Sequence, residues 1–225
     1  MYIPMSDTIT VKDIHPVNDE YVFLFDIDHT LYKMDECMHK DEIKSWVDVY
    51  NTLRGDKKDV PTFREILGMS PMYGGAFYSV FNICAKEAED FRGMFDYSKY
   101  LEKDIRLRNK LSSIPYRKWC FTNGLESRAK SVLGALDIED CFEGVVCMDD
   151  NSRGDFGKPF LNSYLFVERI LGITKKENVI FFDDNENNIK TVRDMGWKSI
   201  IVREEDDIID LISQAENDIK LRPER

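Results

Sequence analysis

Five short apolar runs, with helix-like stretches between the later ones, constrain this chain more than any other feature. They are YVFLF (21–25), KWCF (118–121), GVVCM (144–148), NVIFF (178–182) and KSIIV (198–202). Their hydrophobicity is continuous rather than alternating, which fits strands covered on both faces. ESRAKSVLGALDI (126–138), FLNSYLFVERILGI (160–173) and ENNIKTVRDMGW (186–197) lie between them. In the second of these, Leu161, Tyr164, Leu165, Val167, Ile170 and Leu171 recur at roughly helical spacing. Strand–helix alternation predicts an α/β fold built on a doubly wound, Rossmann-like parallel sheet.

Residues 33–116 break the alternation. They contain no comparable strand run and read as helices: DECMHKDEIKSWVDVYNTL, PTFREILGM, AFYSVFNICAKEAEDF and YLEKDIRLRNKLSSI. Pro61, the GMSP turn and Gly74-Gly75 separate the pieces. The expected organisation is a core of residues 1–32 and 117–225, with a helical cap of residues 33–116 inserted after the first strand. DDIIDLISQAENDIK supplies a final amphipathic helix, and RPER is expected to fray.

The net charge of −11 excludes a general affinity for nucleic-acid phosphates, because the lysine pairs at 57–58 and 175–176 are isolated. No apolar run approaches the length of a membrane span. The start, MYIPMSDTITVKD, lacks the pattern of a signal peptide. Five cysteines without a CxxC spacing fit free thiols in a reducing compartment, so the cytoplasm is expected.

The chemistry lies where the runs end. In a parallel sheet, ligands bind outside the carboxyl ends of the strands. The first run leads into Asp26-Ile27-Asp28-His29-Thr30, the second into Thr122-Asn123-Gly124, and the fourth into Asp183-Asp184-Asn185. Gly157-Lys158-Pro159 precedes a predicted helix. These segments would meet at one edge and bring together carboxylates, a hydroxyl, an amide and one ammonium. Like charges held that close repel, and desolvating them is costly, so a bound cation is expected. Hard oxygen ligands suit Mg²⁺, which works with substrate phosphate. One carboxylate can then act as a nucleophile and a second as a general acid and base.

With these residues in order, the chain resembles the haloacid dehalogenase-like hydrolases, most of which are Mg²⁺-dependent phosphatases. DIDHT matches DxDxT, FTNG the hydroxyl-bearing motif, GKP the lysine motif and FFDDNENN the acidic motif. DIDHTLY, CFTNGLESRAKSVLGALDIEDCFEGVV and VIFFDDNENNIKTVRDMGW further resemble the pyrimidine 5′-nucleotidase subfamily, which hydrolyses nucleoside monophosphates. The resemblance implies Asp26 as nucleophile and metal ligand. It implies Asp28 as general acid and base, with its backbone carbonyl toward the metal. Thr122 would bind the phosphoryl group, with Asn123 and Gly124 shaping the loop, and Lys158 would neutralise charge. Asp184 would ligate the metal directly and Asp183 through a water, with Asn188 supporting the loop. Tyr73 and Gly74 match a Tyr-Gly of the subfamily's cap, which makes Tyr73 a candidate substrate contact. The segment after them, GAFYSVFN, is more aromatic than in relatives and lacks their basic residue. The expected partner is a small phosphorylated molecule, a nucleotide for preference, with no nucleic acid and no membrane, bound by a monomer or homodimer.

Simpler explanations exist for each segment. Asp26 and Asp28 could form a turn, Thr122 and Asn123 could cap a helix, Lys158 could be an exposed lysine, and 183–184 could be an N-cap. The aromatic stripe of Tyr73, Phe77, Tyr78 and Phe81 fits a core better than a stacking platform. A metal-independent haloacid dehalogenase, a phosphotransferase and a non-catalytic binding protein are the competing functions.

Overall fold

A computed structural model of the chain describes residues 1–6, 15, 20–72, 74–93 and 95–221. Its strands are Tyr2–Met5 (β1), Val22–Phe25 (β2), Arg117–Leu125 (β3), Gly144–Met148 (β4), Val179–Asp183 (β5) and Lys198–Ile201 (β6). Its α-helices are Glu36–Arg54 (α1), Phe63–Gly68 (α2), Gly75–Phe81 (α3), Ala85–Arg92 (α4), Ile105–Ser113 (α5), Glu126–Ala135 (α6), Leu161–Leu171 (α7), Glu186–Asp194 (α8) and Ile208–Lys220 (α9). None of these helices is long and apolar enough to cross a membrane.

The strands form one parallel sheet in the order β1-β4-β3-β2-β5-β6. Every residue of β2, β4 and β5 is buried, as their uninterrupted apolar runs require. Successive side chains alternate between the faces. Leu24, Phe121, Val146 and Phe181 pack with Tyr164, Val167 and Ile170 of α7 and Ile189 and Val192 of α8. Phe23, Phe25, Cys120, Cys147 and Phe182 pack on the other side with α5, α6 and α9. Cys120 and Cys147 are thus buried free thiols. Burying side chains of this size stabilises by about 2 kcal/mol each before conformational entropy is counted.

β1 was not among the expected strands. Its four residues pair with β4 at the sheet's edge, with Ile3 and Met5 buried and Pro4 exposed. A proline lacks the N–H of the ladder and is tolerated only at such an edge. The expected helix 76–91 is two helices, because Asn82 adopts a left-handed conformation (φ 53°) that ends α3. α4 then starts against the segment after β4: Ala85 N donates to Ser152 O at 2.8 Å and Lys86 N to Asp150 O at 2.9 Å. At the other end of the 33–116 insertion, α5 packs among the helices under the sheet rather than with α1–α4. Leu107 and Leu111 join the cluster containing Ile212 and Ala215, and Lys110 Nζ reaches Glu216 Oε2 at 2.6 Å.

Candidate active site

β2 sits at the centre of the sheet, flanked by β3 and β5. Chain order runs outward from it through β3 and β4 on one side and through β5 and β6 on the other, so its carboxyl end is the switch point where a crevice forms. Asp26 leaves β2 with its N–H bonded to Phe182 O at 2.8 Å. Asp183 is the last residue of β5. β3 does not stop at Phe121 as the apolar run suggested. It resumes pairing at Leu125, so Thr122, Asn123 and Gly124 form an irregularity inside the strand. There Thr122 Oγ1 accepts from Gly124 N at 2.9 Å.

Lys158 organises the crevice floor. Only 2% exposed, its ammonium bridges Asp26 Oδ1 and Asp183 Oδ2, each at 2.7 Å. It lies over the rings of Phe121 and Phe181, at 5.2 and 5.4 Å from their centroids. Asn123 holds the lysine's backbone in a reciprocal pair: Nδ2 donates to Lys158 O at 2.7 Å, and Oδ1 accepts from Lys158 N at 2.8 Å. Gly157 must be small, since a Cβ there would lie 2.9 Å from Asn123 Oδ1 and from Met72 Sδ. Asp183 is fully buried and also accepts from Asn188 Nδ2 and Asn185 N.

Asp26, Asp183 and Asp184 place carboxylate oxygens within 4.8 Å of one another. Asp184 is the most open of the three, and the Asp28 carboxylate is not in the group. Burial pushes the Asp26 carboxyl well above its usual range; Lys158 opposes the shift, while Asp183, Asp28 and Asp184 add to it. Burial and Asp183 raise Asp184 in the same way, against His29 and Lys158. Lys158 is held charged: burial disfavours its ammonium, but Asp183 and Asp26 outweigh that. One ammonium among three carboxylates leaves negative charge unbalanced. An all-oxygen donor set of this kind fits a hard divalent cation.

Asp28 has a different environment. Tyr32 OH donates to its Oδ1 at 2.6 Å, and Arg128 Nε and Nη2 reach the same oxygen at 3.2 and 3.0 Å. Burial alone would raise this carboxyl, but Arg128 and Tyr32 hold it below the usual carboxylate range.

Over the crevice is a cavity of about 340 Å³, large enough for a small ligand. Its floor includes Asp26, Asp28, Thr122 and Lys158, and its far wall comes from α1, α3 and α4 through Glu42, Trp46, Tyr78 and Glu89. Tyr73, the substrate contact expected from sequence, lies outside the described residues. Phe77 is buried against Trp46 and Phe63, so this part of the aromatic stripe is core, while its neighbour Tyr78 reaches the cavity. Two histidines given no role from sequence, His29 and His39, also line it.

The simpler explanations fail at three points. Lys158 is buried, not exposed. α6 takes its N-cap from Leu125, with no side-chain cap from Thr122 or Asn123. The N-cap of α8 is Asn185, not the acidic pair. Sequence reasoning missed Arg128 and Glu42. Arg128 stands six residues beyond Thr122 in the quoted motif, but nothing local marks which carboxylates it meets.

A profile of the haloacid dehalogenase-like hydrolase family matches residues 22–196. Phosphate metabolism protein 8 of Saccharomyces cerevisiae is 27% identical over 197 residues, covering 80% of this chain and 60% of that protein. The chain therefore spans about 60% of that relative's length. A haloacid dehalogenase-like family hydrolase from Xanthomonas campestris superposes with a TM-score of 0.58 at 13% identity, covering 91% of this chain and 96% of that one. A predicted hydrolase of the same family from Porphyromonas gingivalis gives 0.54 at 15% identity, covering 88% and 98%. At such identities the two structures establish the fold alone.

Proposed function

The chain belongs to the haloacid dehalogenase-like hydrolases, and we propose that it is a Mg²⁺-dependent phosphomonoesterase that works through an aspartyl-phosphate, preferring nucleoside 5′-monophosphates. The observation that carries this reading is Lys158, buried between Asp26 and Asp183 in a cluster of three carboxylates. An ammonium there can balance an attacking carboxylate and an incoming phosphoryl group together.

Asp26, Asp183 and Asp184 would hold the cation. When bound, it would neutralise their charge and that of the phosphoryl oxygens. A carboxylate oxygen of Asp26 attacks phosphorus as the bond to the ester oxygen breaks. Asp28, ionised at rest, takes up the proton that the substrate's monoanionic phosphate carries and gives it to the departing alkoxide. Thr122 and the N–H groups of its loop bind the phosphoryl oxygens. In the second step Asp28 takes a proton from water as the water oxygen attacks phosphorus. The Asp26–phosphorus bond breaks, releasing inorganic phosphate and restoring the carboxylate. The wall of helices over the cavity would act as the cap that keeps bulk water out during the first step.

The preference for nucleotides rests on the likeness of the quoted motifs to the pyrimidine 5′-nucleotidases and on a cavity wall with aromatic side chains. We place the reaction in the cytoplasm, on small soluble substrates and by a monomer or homodimer. The test is a phosphomonoester panel with Mg²⁺: UMP, CMP, AMP, IMP, sugar phosphates and lysophosphatidate. Faster turnover of nucleotides supports the reading; indifference leaves a general phosphatase. Phosphate transfer to an added alcohol would identify a phosphotransferase. Metal-independent release of chloride from a haloacid would establish dehalogenase chemistry instead.

A further inference from the structure

Asp28 is gripped on one oxygen. Tyr32 and two nitrogens of Arg128 all bond to Oδ1, which leaves Oδ2 for the cavity that Asp28 lines. The third guanidinium nitrogen of Arg128, Nη1, meets Glu42 Oε1 of α1 at 2.7 Å. That same carboxylate oxygen accepts from Arg92 Nη2 of α4 at 3.0 Å. Arg92, whose side chain is enclosed, also donates from Nε to Ser45 Oγ at 2.9 Å. The planar fork of Arg128 is filled on both sides, by a core carboxylate and by a carboxylate of the inserted helices, over the ring of Tyr97.

We infer that Arg128 and Glu42 are positioning residues, a relay through which the seating of α1 and α4 sets the orientation of Asp28. The inference rests on the reading of Asp28 as the proton donor. With Glu42 in place, the guanidinium is fixed and Oδ1 is fixed by it, so Oδ2 is aimed to pass a proton from the monoanionic phosphate to the ester oxygen. That proton moves to the oxygen as the phosphorus–oxygen bond breaks, and Asp28 takes one from water in the second step. With Glu42 withdrawn, Arg128 is free to turn, and Asp28 loses its aim while Asp26 and Lys158 keep theirs. Proton donation is therefore available only over a closed site.

Leaving-group dependence separates this from a structural role. Alkoxides need a proton to depart; p-nitrophenolate does not. In Glu42→Gln, kcat/KM, which stops at the first chemical step and leaves out the hydrolysis common to both esters, is expected to fall at least tenfold for a nucleoside 5′-monophosphate and less than threefold for p-nitrophenyl phosphate. Arg128→Lys, which keeps the charge but not the fork, should fall between wild type and Arg128→Gln. Tyr32→Phe removes a single hydroxyl from the same oxygen and should show the same discrimination in smaller measure, in a variant that perturbs the fold least. Equal losses on both esters in Glu42→Gln, or no loss on either, overturn the relay. If Asp28→Asn itself fails to discriminate, or the wild type hydrolyses neither ester, the assignment of Asp28 fails and the relay with it. A discriminating Asp28→Asn beside an indiscriminate Glu42→Gln sinks the relay alone.

Discussion

At the scale of the residue, Asp26 stabilises the reaction it serves at the expense of the fold that holds it. Its carboxyl is raised by burial and by neighbouring acids, so the folded protein binds a proton there more readily than the unfolded chain does. Stability from this group is therefore greatest below the unfolded carboxyl range and declines as pH rises through the raised folded value. Asp26→Asn is expected to abolish turnover, by at least a thousandfold, yet to raise the melting temperature in EDTA at neutral pH. Calorimetry of the two proteins between pH 5 and 8 checks it, and the gap between them should narrow toward pH 5. Asp26, Asp28, Thr122, Lys158 and the 183–184 pair could be picked out from sequence because each sits where an apolar run ends or, for Lys158, just ahead of a helix. Arg128 and Glu42 could not: their charges are satisfied by tertiary contacts, and local spacing carries no record of those.

At the scale of the element, the irregularity in β3 does work that a regular strand could not. It turns Asn123 out of the ladder to clasp both backbone groups of Lys158. Asn123→Ala leaves that amide and carbonyl without partners, at a cost of about 1–3 kcal/mol. The melting temperature should drop by several degrees and kcat/KM should fall with it, because the lysine loses its seat. Gly154 has φ +84° and a Cβ there would lie 2.5 Å from the backbone oxygen of Gly75. Gly154→Ala is expected to destabilise by roughly 2 kcal/mol, read in a denaturant melt. The buried strands were plain in the sequence because each is apolar throughout. β1 was not: it has four residues, one of them proline, and buries only Ile3 and Met5 fully. The break between α3 and α4 was hidden for a different reason. Asn82 alone carries it, and asparagine is only permissive of the left-handed region.

At the scale of the whole molecule, the acids that repel one another should make the protein respond to metal as a fold, independently of catalysis. Mg²⁺ at a hundredfold excess over its Kd would add about 2.7 kcal/mol, raising the melting temperature by about 5 °C or more. EDTA should reverse the rise and silence hydrolysis together. Asp184→Asn is expected to lose most of the rise, which thermal scans with and without Mg²⁺ will show.

The segment between β4 and α7 carries two attachments at once. Its first half receives the N–H groups of α4 through Asp150 and Ser152, and binds Asn82 through Arg153. Its second half delivers Lys158 to Asp26. Anyone grafting the helices of one relative onto the sheet of another would have to transplant this stretch as well. Left behind, it would present the newcomer with a mismatched sill, and the misfit would be felt at the lysine a few residues on.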